Sequence, residues 1–240
     1  MRLCISLDIM FMGVLSVLMT GEAIDAAEKQ PQAIKEAMPT AVGTTWRYRN
    51  YDAPRDEWDE VFSVLRIVDE QVVNGRRKWH TELVYEPSRA SVLLLREIAD
   101  KTGLAPPGGR AEPERYLNYY DVVKEAYIWL PVDAQDQPIA EPIARFPYPV
   151  KKGQQLHRRE GAQSKVIDVK RKVKVEAGEF ECIVVETREV NKETQEIQLD
   201  LDYYSAGVGL VRSELYALSS EKPKLLSKLD LIQFQQPKGQ

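Results

Sequence analysis

In Val173-Lys174-Val175-Glu176-Ala177-Gly178-Glu179-Phe180-Glu181-Cys182, residue character alternates with period two on both sides of a glycine turn. Val169, Val173 and Val175 share one parity and Lys170, Lys172 and Lys174 the other. A strand projects successive side chains to opposite faces, so the valines point to a core and the lysines to water. Beyond the turn, Phe180, Cys182 and Val184 point one way. Ile197, Leu199, Leu201 and Tyr203 then alternate with Gln198, Asp200, Asp202 and Tyr204 before Gly207-Val208-Gly209 turns the chain into Leu210-Val211. Residues 163–212 therefore read as consecutive antiparallel strands.

The same period runs outward from this block. Residues 44–52 set Trp46 and Tyr48 on one face, residues 60–70 alternate likewise, and Asn74-Gly75 supplies a hairpin turn that needs positive φ. The return strand, 76–86, has Trp79, Thr81, Leu83 and Tyr85 on one side and His80, Glu82 and Val84 on the other. Residues 91–99 form an apolar run that fits a buried strand or a short helix. Residues 101–115, with Pro106-Pro107-Gly108-Gly109, read as a long loop; 116–130 are β-rich and aromatic; 133–144 hold Pro138 and Pro142 and read as a second long loop. A last strand covers 225–234. The expected fold is mainly β: a single curved antiparallel sheet or half-barrel with one or two short helices and two long loops.

Composition sets outer limits on function. The chain has 240 residues, 43% hydrophobic and 29% charged, with a net charge of -4. Those proportions are those of a globular domain, not of a disordered chain or a basic nucleic-acid binder. The N-terminus carries Arg2 and an apolar run over residues 9–19, the length of an export signal and short for a membrane span. Cleavage is expected near Ala26, with Ala23 as the alternative. The reading is thus a signal peptide over 1–26, a flexible leader or short helix over 27–42, one β-rich domain over 43–234 and a disordered tail over 235–240. The cleaved chain has no transmembrane segment, and the expected location is periplasmic or extracellular. Losing Arg2, Asp8, Glu22 and Asp25 takes the net charge from -4 to -2 and leaves Cys182 as the one thiol. An orphan thiol in an oxidising compartment survives by burial, in line with its predicted core face.

The segment 173–182, together with Tyr203-Tyr204-Ser205-Ala206-Gly207-Val208-Gly209-Leu210-Val211, Gly43-Thr44-Thr45-Trp46-Arg47-Tyr48 and Tyr148-Pro149 before Gly153, resembles a group of uncharacterised bacterial exported proteins. These are similar in architecture to the periplasmic lipoprotein-carrier half-barrels. The resemblance rests on turn signatures, so it implies a fold and brings no catalytic residues with it.

Residues that carry chemistry elsewhere lack their companions here. Cys182 has only His80 and His157 for a general base and faces the core. Tyr203-Tyr204-Ser205-Ala206-Gly207 lacks the first glycine of a nucleophile elbow. Asp200 and Asp202 share a strand face, and Asp52, Asp56, Glu57, Asp59 and Glu60 crowd a loop around Trp58; either group suits a glycosidase pair or a cation site, and equally a solvated acidic surface. Lys165, Lys170, Arg171, Lys172 and Lys174 form a basic face that suits an anionic partner or plain solvation. No cofactor, metal or nucleic acid is expected.

The aromatic residues carry the functional expectation. Trp46, Tyr48, Trp79, Tyr85 and Trp129, with Tyr127, lie on strands with regular parity. On a curved sheet such rings line an apolar concavity or fill a core. The expected function is non-enzymatic: an envelope protein that holds an apolar small molecule, lipid or lipidated partner against Trp46, Tyr48, Trp79, Tyr85 and Trp129. The alternatives are a structural or adaptor protein binding another envelope protein, and a hydrolase of unrecognised type in which Asp200, Asp202 or the histidines converge in a cleft.

Overall fold

The computed structural model of the chain describes residues 39–73, 76–88, 113–121, 126–140, 142–147, 150–156, 161–190, 196–218 and 222–237. The export segment, the leader up to residue 38, the Asn74-Gly75 turn, residues 91–99, most of the loop over 101–115, His157 and residues 238–240 lie outside them. Both segments read as helix candidates fall in these stretches. Among the described residues the sheet elements are β1 (Thr45–Asp52), β2 (Glu57–Val73), β3 (Arg76–Pro87), β4 (Glu114–Asp121), β5 (Ala126–Val132), β6 (Ile143–Pro147), β7 (Gln155–Leu156), β8 (Gln163–Val175), β9 (Gly178–Val190), β10 (Ile197–Ser205), β11 (Gly209–Leu218) and β12 (Pro223–Gln235).

All pairings are antiparallel, and the strands make one open sheet in the order β6-β5-β4-β3-β2-β1-β12-β11-β10-β9-β8-β7. The chain starts at the centre, meanders to one edge, crosses to the other edge and meanders back. Chain length then requires curvature. Twelve strands spaced about 4.8 Å apart span roughly 53 Å when flat. From Pro147, where β6 ends, to Gln155, where β7 begins, the backbone reaches at most roughly 28 Å. A flat sheet cannot be built with that connection. Register shifts at Arg47/Tyr48, Ile67/Asp69, Tyr203/Tyr204 and twice within Val166–Arg171 supply the bending, because each bulge kinks and twists its strand.

Curling places one limb of the sheet over the other and yields two core clusters. The first gathers Trp46, Tyr48, Ile67, Trp79, Val173, Val175, Cys182, Val211 and Leu231, from strands near the centre and from the far limb. The second gathers Leu156, Val166, Val185 and Tyr204. The bulges in β8 explain how one strand feeds both: Val166 belongs to the second cluster, whereas Val173 and Val175 belong to the first. At the β8–β9 turn, the Ala177 amide donates to the Leu231 carbonyl at 3.3 Å, which docks the hairpin tip on β12. Cys182 is fully buried, and Lys170, Lys172 and Lys174 are exposed, as the alternation requires.

Several expected boundaries shift. The β-rich stretch 116–130 is two strands, β4 and β5, paired from Arg115↔Val132 to Asp121↔Ala126. The loop over 133–144 is shortened by a bridge between Val132 and Pro138 and by the start of β6 at Ile143. At the C-terminus Gln235 still pairs with Thr45, so the sheet continues one residue into the segment read as tail. In β10, Asp202 and Tyr204 are buried although they share the polar parity. Both faces of that strand are covered, because the curled sheet packs against itself.

Candidate functional site

A cavity of about 340 Å³ lies between the limbs of the curled sheet. Its walls come from β1 (Trp46, Tyr48), β2 (Ser63, Leu65), β3 (Leu83, Tyr85) and β5 (Trp129) on one side, and from Asp202, Tyr204, Leu210, Ser213 and Leu229 of β10, β11 and β12 on the other. The register explains this convergence. Ser63 pairs with Tyr85 and Leu65 with Leu83, so these four alternate residues share a face. On the second limb Asp202 pairs with Ser213, and Ser213 with Leu229.

Four of the five rings singled out from sequence, Trp46, Tyr48, Tyr85 and Trp129, line this cavity. Trp79 does not: it is fully buried in the first core cluster. Trp46 and Tyr48 are fixed rather than adaptable. The Trp46 indole N–H donates to the Val208 carbonyl at 2.5 Å, and the Tyr48 hydroxyl donates to the Leu210 carbonyl at 3.0 Å. Trp129 packs against Tyr116 with ring centroids 4.5 Å apart. Tyr85 is 44% exposed and marks where the lining meets solvent. Its hydroxyl donates to Glu114 at 3.2 Å, and that of Tyr116 donates to the same carboxylate at 2.5 Å. Burial, then the charge of Glu114, pushes the Tyr85 phenol above its usual range.

On the opposite wall the Tyr204 hydroxyl donates to Asp202 at 3.2 Å, and both residues are buried. Alternation marks Asp202 as one of two acids on a strand face, but its place in a closed apolar wall depends on the folding of one limb over the other, which no local pattern reports. Leu65, Leu83, Leu210 and Leu229 complete the apolar walls, each a residue that local alternation reads as ordinary core.

A second, larger cleft of about 730 Å³ lies on one limb alone, lined by Glu82, Glu114, Arg115, Tyr116, Asp133 and Ile139 among others. The ion pair Arg115–Glu82 at 3.4 Å crosses its wall. Its lining mixes charges of both signs, Glu82, Glu114 and Asp133 with Arg115, and is more polar than that of the smaller cavity.

The other candidate groups have structural occupations. In the acidic loop around Trp58, Arg55 lies 2.6 Å from Asp52, 3.0 Å from Glu57 and 3.1 Å from Asp59, and Asn50 donates to Asp59 at 2.7 Å. The Arg55 guanidinium holds the Asp52 carboxyl below the usual carboxylate range. Lys228 lies 4.6 Å from the Trp58 ring centroid, and Arg49 5.6 Å. Three of the acids are thus tied to Arg55, which gives them a structural role. Cys182 is a poor nucleophile, since burial pushes its thiol up to about 11. His80 is buried, with Nε2 3.1 Å from Asp136 and Nδ1 3.7 Å from Asp69. Among the described residues no three His, Cys, Asp or Glu side chains are grouped to hold a metal ion.

Residues 151–231, about a third of the chain, match the DUF3108-like family. The matched stretch coincides with the returning meander, from the approach to β7 almost to the end of β12. The fold is shared with a proposed exported protein of YmcC-like fold from Bacteroides fragilis, at 14% identity and a TM-score of 0.51, over 84% of this chain and 99% of that one. A proposed lipoprotein from Parabacteroides distasonis aligns at 15% identity and a TM-score of 0.48, over 83% and 99%. No curated protein matches the sequence.

Proposed function

We propose that this chain is an exported, non-enzymatic envelope protein that holds an apolar ligand between the limbs of its curled sheet. The observation that carries the reading is the 340 Å³ cavity walled by Trp46, Tyr48, Tyr85, Trp129 and four leucines. Its volume is in the range of small-ligand sites, which run from roughly 300 to 1,000 Å³ and are mostly apolar with a few polar groups. Trp46 and Tyr48 are already held by hydrogen bonds to the opposite limb. A ligand entering between them has little wall to order, and burial of its apolar surface contributes about 25 cal/mol per Å² before its own ordering cost. The mechanism is burial and release without bond chemistry. Export is supported by the N-terminal apolar run and by the description of the Bacteroides fragilis protein that shares the fold. The likeness to lipoprotein-carrier half-barrels suggests acyl chains or a lipidated partner as occupants.

The test is native mass spectrometry of protein purified from an exporting host without detergent, followed by solvent extraction and lipid analysis. The expected result is a bound mass that extraction removes and that Ser213→Phe, which fills the cavity from β11, abolishes without lowering the unfolding midpoint. Retention of the adduct in the Ser213→Phe variant, or its absence from the parent protein, would overturn the reading.

A second reading, an adaptor for another envelope protein, draws on β8. Among the described residues its first part pairs with β7, through Ser164 and Lys165, and further along the strand stand exposed Lys170, Arg171, Lys172 and Lys174. Charges along an open edge also deter unwanted strand pairing.

A further inference from the structure

We infer that the face of the sheet turned away from the apolar cavity carries a phosphate-binding site built on Arg47 and Arg66. Trp46 and Tyr48 of β1 and Ser63 and Leu65 of β2 line the apolar cavity, so the alternate residues Arg47, Val64 and Arg66 stand on the opposite face. The register sets them side by side: Thr45 pairs with Arg66 and Gln235, and Arg47 with Val64 and Gln233. With Glu86 of β3 these residues line a small cavity of about 160 Å³, the liquid share of roughly five waters. That space takes one phosphate-sized group.

Arg47 carries the argument. Its guanidinium lies over the Phe62 ring, 4.1 Å from the centroid, which fixes the plane of the group. Its Nε is buried without a hydrogen-bond partner. Its one ion pair among the described residues, to Glu86, is 3.9 Å long, beyond hydrogen-bond reach. The side chain is still 33% exposed, so a ligand can reach it. Arg66 donates to the same Glu86 at 2.6 Å. Glu82, the cross-strand partner of Arg66, is engaged by Arg115 at 3.4 Å. One carboxylate therefore serves two guanidiniums, and a positive charge with unspent N–H donors is left over. Planar guanidinium forks bind phosphate oxygens through paired N–H bonds, and a phosphate has oxygens enough to serve both forks at once. The side-chain amides of Gln233 and Gln235, which also line the cavity, supply neutral donors.

The experiment titrates the purified protein with inorganic phosphate, glycerol phosphate and dihexanoyl phosphatidic acid, at constant ionic strength set with chloride, followed by phosphorus NMR. The expected result is saturable binding that Arg47→Gln and Arg66→Gln each weaken at least about tenfold, the scale of a lost hydrogen bond to a charged group. Arg47→Lys should recover little of it, because a point charge lacks the planar fork. Glu86→Gln removes the competing carboxylate and should tighten binding several-fold, a gain that a damaged fold would not give. Tighter binding of the phosphatidic acid than of glycerol phosphate would assign the group to a lipid head, and equal binding to a free phosphate compound. Absence of saturable binding, or binding that both arginine variants leave unchanged, would overturn the site.

Discussion

The indole N–H of Trp46 reaches the carbonyl of Val208 across 162 residues of sequence, at 2.5 Å. One residue lies on the first strand and the other in the turn between β10 and β11, so this bond clamps the two limbs at one end of the cavity. Trp46→Phe keeps most of the apolar packing and deletes the donor, which leaves a half-buried carbonyl unpaired. The expected loss is about 1–3 kcal/mol, read as a lower urea midpoint with an unchanged denaturant slope.

Arg212 and Asp230 form a two-pronged pair at 2.5 and 2.9 Å between β11 and β12, with side-chain exposures of 20% and 10%. Removing one partner strands the other in a poorly solvated place. Asp230→Ala should cost about 2–4 kcal/mol, somewhat below the cost for a fully buried pair because water still reaches Arg212. The double variant Arg212→Met/Asp230→Leu should recover part of that loss in urea unfolding, since the two facing charges go together, while Glu214 and Lys228 each give up one partner.

Stability should fall on the alkaline side. Burial, ahead of neighbouring charge, raises the Cys182 thiol from 9.0 to about 11 and the Tyr216 phenol from 10.0 to about 12, and Tyr203 goes higher still. A raised folded-state value means that the contribution is complete below the unfolded value and is lost as pH climbs through the folded one. The urea midpoint should hold to about pH 9 and then decline to pH 12. Cys182→Ala should flatten the first part of that decline, and Tyr203→Phe the later part. At pH 8 the native thiol should resist a disulfide reagent that labels it rapidly in urea.

Gly207 and Gly209 both adopt positive φ, 72° and 93°, on either side of the carbonyl that Trp46 uses. Gly209→Ala should cost about 1–2 kcal/mol from backbone strain alone. If the clamp described above also depends on this turn, the Gly209→Ala and Trp46→Phe effects should sum to more than the double variant loses.

Local patterning carried the reading furthest where neighbouring strands are also neighbours in sequence. The valine and lysine parity in β8, the inward thiol of Cys182 and the turn at Gly207-Val208-Gly209 all follow from period two and glycine geometry. The rings at Trp46, Tyr48, Tyr85 and Trp129 were legible as a set because each stands on a strand at regular parity, Tyr85 at the exposed end of its strand face. What lay beyond reach depended on contacts between distant segments. Trp46 and Trp79 belong to the same buried cluster, and alternation does not tell that Trp46 alone of the two also reaches the cavity. Tyr204 and Asp202 are buried because a second layer covers a strand face that looks polar. Asp52, Glu57 and Asp59 are gathered by Arg55 at the turn where Asp56 takes a positive φ of 56°, a convergence that alternation does not report.

The seam between β1 and β12 pairs Thr45 with Gln235, so the two ends of the folded sheet lie side by side while the backbone is severed, in effect, at the middle of the strand order. Joining those ends with a short linker and opening the chain between β6 and β7 would leave each hydrogen-bonded neighbour in place. The circularly permuted protein would run through the strand order without a jump, as one continuous up-and-down ribbon. In the natural order the first six strands leave the ribosome with the β1 edge bare, and they wait for the last strand of the chain to cover it.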